Sequence, residues 1–159
     1  MDFKTTFQTF YTHQKDLKVI SVASCDEKCK PNSASKMLIS VVSPNHVYFL
    51  DYRFTQSYAN IQKNNQLSIS FMDDDDFTGY RLTGVAEVIK SGKEFESVKA
   101  SWEKRLIHYE ADRILKRITG KFSTREAENS MPKDFVIVKL TAKEASVIKP
   151  DRVFRAHHE

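Results

Sequence analysis

The sequence predicts a mainly β, α+β domain: six antiparallel strands closed into a small barrel, with helices packed around it. Three observations carry that prediction. Between residues 17 and 90, runs rich in Val, Ile, Tyr and Phe alternate with short turn signals such as DEKCKP and SPN, the pattern of an antiparallel meander. The following third of the chain changes to apolar residues at helical spacing. A late β-rich run brings the strand count to six, and closing such a set removes exposed edges. At 159 residues, with no Pro/Gly/Ser-rich linker, the chain reads as one domain, 1–159.

Taken in order, Phe3, Phe7, Phe10 and Tyr11 put an aromatic side on a helix within residues 1–13. LKVISVASC (17–25), SASKMLISVV (33–42) and VYFLD (47–51) are the first three strands of a main barrel set spanning 17–90. A helix over 55–64 follows, opened by Thr55, with Tyr58, Ile61 and Gln62 facing inward and Asn64 and Asn65 ending it through left-handed geometry. Leu67, Ile69 and Phe71 alternate with Ser68 and Ser70 in the fourth strand. The acidic run 73–76 lacks the ligand pattern of an EF-hand and reads as a solvated turn. YRLTGVAEVI (80–89) is a long strand in which Gly84 marks a bend or bulge. Helical segments fill 93–118, one with Phe95, Val98 and Trp102 and one from 109 with Ile114, Leu115 and Ile118. A loop over 119–133 precedes the late strand, 134–148, and the tail after Pro150 either reaches a site or partner subunit or frays.

A hydrophobic share of 40% and a charged share of 29% are those of an ordinary globular chain. The net charge of +4 is modest, and its basic cluster at 90–121 is by default a solvated helix face. No apolar run approaches membrane-spanning length and MDFKTTFQTF lacks a signal-peptide core, so the expected location is cytoplasmic. Cys25 and Cys29, spaced CxxxC with no second pair, read as reduced thiols near a turn. The five histidines are scattered and no metal site is expected. GxSxG, HExxH, Walker-type and GxGxxG motifs are absent, and with four glycines a glycine-rich phosphate cradle is excluded.

Reactivity then has to come from a bound cofactor, for which the protein supplies position. The helix mouth at Thr55 and Ser57 offers hydroxyls and free N–H groups that favour an anion, and Arg53 and Lys36 add charge. Backbone at Ser35, Lys36, Met37 and Leu38 suits the ring of a flavin such as FMN. Each residue also has a plainer reading: Lys36 an outward strand residue, Arg53 a loop charge, Thr55 a cap, Ser57 helix surface. Tyr48, Tyr52, Phe54 and Tyr58 with Arg53 and Lys63 suggest a second use, single-stranded nucleic acid held by stacking, but alternation along VYFLD turns half of them inward.

The runs VISVASCDEKCKPNSASKMLIS, VYFLDYRFTQSYANIQKNNQLSISF and GYRLTGVAEVI, with landmarks Pro31, Asn60 and Ile61, and Arg81-x-x-Gly84, resemble the pyridoxamine 5'-phosphate oxidase-like family of FMN-binding split barrels. The resemblance implies a six-stranded split barrel, a homodimer with two FMN molecules at the subunit interface, and flavin-dependent oxidoreductase activity on a small-molecule substrate. By the same carry-over, Lys36 falls near the family's basic residue on the second strand, beside Met37, and Thr55 on the small hydroxyl residue before the helix. Ser57 falls where a Lys or Arg normally grips the phosphate, and Asp51 near a position often held by Thr, where an inward carboxylate opposes a phosphate. The expected cofactor-binding set is therefore Ser35, Lys36, Met37, Leu38, Arg53, Thr55 and Ser57, with catalytic residues unassigned and no membrane partner. The alternative is a non-catalytic binder of the same fold that has exchanged FMN for haem or another ligand.

Overall fold

The computed structural model describes residues 2–119 and 135–158. Seven strands, β1 (Val19–Cys25), β2 (Pro31–Val42), β3 (His46–Asp51), β4 (Gln66–Asp73), β5 (Thr78–Ile89), β6 (Val136–Lys149) and β7 (Arg152–His157), are interleaved with three helices. These are α1 (Phe3–His13), α2 (Gln56–Lys63) and α3 (Lys93–Ile118). All pairings are antiparallel, in the order β3-β2-β1-β4-β5-β6-β7, and an added β3–β6 pairing closes the first six strands into a barrel. The predicted fold class is thus the observed one, a six-stranded barrel with flanking helices, plus one strand.

That extra strand, β7, lies in the tail after Pro150 and forms a hairpin with β6. One edge of β6 runs along β5, while its other edge serves β3 over 136–141 and β7 over 144–149. The change of partner falls between neighbours: Ala142 N–H donates to the Asn45 carbonyl at 2.8 Å, and His158 N–H donates to the Lys143 carbonyl at 2.7 Å. Opposite this point β5 shifts register between Thr83 and Gly84. A Cβ at Gly84 would lie 2.0 Å from the Thr141 carbonyl oxygen, so only glycine permits the approach.

Two apolar clusters follow from which face each element turns inward. Phe3, Phe7 and Phe10 of α1 join Val22, Leu38, Phe49, Ile69, Leu82 and Leu140 in the barrel core, while Tyr11, expected on the same side, is exposed. Trp102, Val98 and Tyr109 of α3 cover Ile39, Tyr48, Leu50 and Ile137 on the outside of the wall. β3 is consequently buried on both faces, Val47 and Phe49 inside the barrel and Tyr48 and Leu50 under α3. The two helical segments expected over 94–118 are one continuous helix, because no Gly or Pro interrupts Lys93–Ile118.

Arg105 fixes α3 in place. Its guanidinium donates to the carbonyls of Ile39 at 2.9 Å, Leu17 at 2.7 Å and Gln14, and to the Tyr109 hydroxyl at 2.7 Å. One side chain therefore joins the end of α1, the entry to β1, and β2. The acidic turn is held by its own side chains, with Asp73 accepting from Asp75 N–H and Asp76 from Thr78 N–H. The loop expected over 119–133 lies, apart from Thr119, outside the described residues. No helix among the described residues is long and apolar enough to cross a membrane.

Candidate functional site

β3 ends at Asp51, where the chain turns through Tyr52, Arg53 and Phe54 into α2. Thr55 is the N-cap, as expected, its hydroxyl accepting from Tyr58 N–H at 3.1 Å. The same hydroxyl donates to Asp51 Oδ1 at 2.7 Å, which also accepts from Tyr52 N–H at 2.7 Å and from the Lys36 ammonium at 2.5 Å. Asp51 is 0% and Lys36 7% exposed, so this is a buried ion pair rather than a surface contact. Asp51 Oδ2 is buried and, among the described residues, has no hydrogen-bond partner. The inward carboxylate that would oppose a phosphate is therefore present, and it takes up the Lys36 ammonium, the Thr55 hydroxyl and the Tyr52 amide of the turn before α2.

Ser57 is 1% exposed rather than surface, and its hydroxyl lies 3.1 Å from Asn32 Nδ2, which donates to it. Asn32 and Asn60 both donate to Ser24 Oγ, at 3.4 and 3.1 Å, and Gln56 donates to Asn60 at 2.8 Å. This polar lattice fastens α2 across the β1–β2 hairpin. Asn32 was not legible as part of it, because only the folded register brings it beneath α2; Asn60, three residues after Ser57, faces inward in place of Gln62, which is exposed. Asn64 ends α2 in extended geometry, φ −133°, rather than left-handed.

Arg53 is exposed and, among the described residues, makes no hydrogen bond or ion pair, so of the two cations expected at this corner it alone lacks a carboxylate. Phe54 is 86% exposed and stacks on Tyr52 with ring centroids 5.4 Å apart. Along β2, Lys36 and Leu38 point inward, Ser35 is exposed and Met37 packs beside the α3 cluster. β2 pairs with β1 from Pro31 to Met37 but with β3 only from Leu38 onward. Its first half thus keeps one backbone edge without a strand partner among the described residues, and this open edge includes Ser35, Lys36 and Met37. Side-chain bonds bring Lys36 and Thr55 together at Asp51 and tie Ser57 to Asn32 of β2, whereas Ser35 and Met37 make no such bond to α2 among the described residues.

On the α3 side of β3, the Tyr48 hydroxyl donates to Glu94 at 2.7 Å and Lys139 Nζ lies 2.9 Å from the same carboxylate. The Tyr48 bond, then that from Lys139, holds the Glu94 carboxyl below its usual range, while burial, reinforced by Glu94, pushes the Tyr48 phenol up. His46 is pushed down, first by burial and then by Lys139. These groups clamp the first turn of α3, and because Tyr48 lies beneath that helix it is no stacking platform for nucleic-acid bases.

The sequence profile of the pyridoxamine 5'-phosphate oxidase family matches residues 4–149. No curated protein sequence matches. Among solved structures, a Clostridium acetobutylicum protein related to general stress protein 26 of B. subtilis, of the pyridoxinephosphate oxidase family, aligns over 97% of this chain and 95% of its own, with a TM-score of 0.67 and 16% identity. A pyridoxamine 5'-phosphate oxidase-related, FMN-binding protein from Nostoc punctiforme aligns over 100% of this chain and 92% of its own, with a TM-score of 0.62 and 13% identity. A heme binding protein from Mycobacterium smegmatis aligns over 96% of this chain and 57% of its own, with a TM-score of 0.65 and 12% identity. At such identities the likeness is one of fold.

Proposed function

The chain belongs to the pyridoxamine 5'-phosphate oxidase family, and from that premise we propose that it is a flavin-binding split-barrel protein, a homodimer holding FMN between its subunits as an oxidoreductase on a small-molecule substrate. The observation that carries this reading is the open edge of β2. A flavin ring has donors and acceptors along one side, and an unpaired strand edge offers N–H and C=O groups to match them. Ser35, Lys36 and Met37 would hold the ring end through their backbone, with Leu38 behind them in the core; Arg53 would meet the phosphate. The Thr55 hydroxyl donates to Asp51 and fixes the α2 mouth, while the Ser57 hydroxyl, which accepts from Asn32, would offer its O–H to the phosphate. The residues thus fit the ring end of FMN well and its phosphate end through one cation. When bound, the flavin supplies hydride and electron transfer, and the protein binds, orients and shields it.

Self-association is supported by apolar surface left open among the described residues. Ile107, Ile114, Leu115 and Ile118 are exposed on α3, and Val19, Met72 and Phe77 on the barrel. A second reading keeps the fold and exchanges the flavin for haem. It is favoured by the Lys36–Asp51 pair, which leaves little charge for a phosphate, and by the fold shared with the mycobacterial heme binding protein. Purification followed by absorption spectroscopy and identification of any copurifying molecule tests both. The proposal expects a yellow flavin spectrum, or uptake of added FMN at micromolar concentration, in a dimer. A colourless protein that ignores FMN and develops a Soret band with haem would reverse the order of the two readings.

A further inference from the structure

We propose that Asp51 is a built-in substitute for the cofactor's phosphate, so that this site selects a flavin by its ring and discriminates poorly between FMN and riboflavin. The inference rests on the flavin reading above and concerns its anionic end. Anion recognition at a helix mouth uses a cation, a hydroxyl and backbone N–H groups. Here one oxygen of Asp51 takes one of each: the Lys36 ammonium at 2.5 Å, the Thr55 hydroxyl at 2.7 Å and the Tyr52 amide at 2.7 Å.

The carboxylate is 0% exposed, and its second oxygen has no donor among the described residues. Formal charges cancel within the pair, +1 at Lys36 and −1 at Asp51, leaving no net attraction for a dianion there. Ser57, in the first turn, cannot supply the missing charge, and its hydroxyl accepts from Asn32. Arg53 remains, but it is a solvent-exposed side chain, and an exposed charge pair contributes little. Asp51 is therefore a specificity-determining residue that acts by filling, from within the chain, the position a phosphate would take.

Binding of FMN and of riboflavin to the purified protein, followed by quenching of flavin fluorescence, decides the matter. Wild-type protein is expected to bind FMN no more than about tenfold more tightly than riboflavin, one to two charge-assisted contacts at an exposed site being worth no more. Asp51→Asn keeps an oxygen for Thr55 and Tyr52 while removing the charge. It is expected to raise the ratio of FMN to riboflavin affinity about tenfold or more, since the Lys36 charge it releases acts on the phosphate alone. A wild-type preference for FMN of about a thousandfold would overturn the inference and leave the flavoprotein reading standing, and this ratio needs no variant to fold. If neither flavin binds the wild type, the flavoprotein reading falls. The inference then turns on Asp51→Asn with FMN: binding gained supports it, and none gained from a folded variant overturns it.

Discussion

Breaking the Lys36–Asp51 pair from one side should be far worse than removing both charges. Asp51 is fully buried and Lys36 nearly so, at 2.5 Å. Lys36→Met leaves a carboxylate in the interior with two neutral donors and no counter-ion, for a loss of about 3–5 kcal/mol. Asp51→Asn strands the ammonium instead, at a similar cost of about 3–5 kcal/mol. The double variant has no buried charge, and it retains the bonds from Tyr52 and Thr55 to the remaining oxygen. Its chief cost is an amide N–H placed where Oδ2 had no partner, about 1–2 kcal/mol. The coupling between the sites should therefore exceed about 3 kcal/mol. Urea unfolding of the four proteins measures it, and each single variant should melt about 6–20 °C below wild type in a chain of this size. Additive losses, with the double variant as unstable as the sum of the singles, would refute the claim that these charges neutralise one another in the interior.

Arg105→Met retains much of the side chain's bulk but removes every donor to Gln14, Leu17, Ile39 and Tyr109. A loss of about 2–4 kcal/mol is expected from partly buried acceptors left open, read by urea unfolding, and Arg105→Lys should recover little because one ammonium cannot span the fork. The pH dependence of stability should carry the mark of His46. Its pKa lies below the ordinary 6.5 in the fold, chiefly through burial, so the unfolded chain binds the proton more readily. Stability should accordingly rise as pH increases from the depressed folded value through 6.5, and His46→Gln should flatten that segment of the stability–pH curve.

Local pattern made most of the barrel legible. Alternation in 66–71 and the turn residues between the first strands carry their own geometry, and Gly84 announced a bulge that its contact with Thr141 explains. β7 was hidden because its six residues mix arginines with apolar side chains out of clean alternation, are largely exposed and pair only with the end of β6. The site was legible in its composition and not in its connections. Thr55 as a cap depends on residues three apart, whereas the bond from Lys36 to Asp51 joins β2 to the end of β3 past a register shift between Leu38 and Ser40. Alternation puts Lys36 and Leu38 on one face, but nothing in the order of residues states that this face is inner as far out as Lys36, or that the β3 ladder stops short of Met37.

The double use of β6 also bears on how the chain reaches this state. Strand β3 has no second neighbour until residues 136–141 arrive, and its last rung, Asp51 against Val136, abuts the ion pair. Joining segments so far apart in the chain requires closing a long loop, which slows folding more than it costs stability. The corner around the Lys36–Asp51 pair is thus completed late, after the four-strand run β2-β1-β4-β5 has its local partners, and a nascent chain halted before residue 136 has the helix mouth but lacks the wall that buries it.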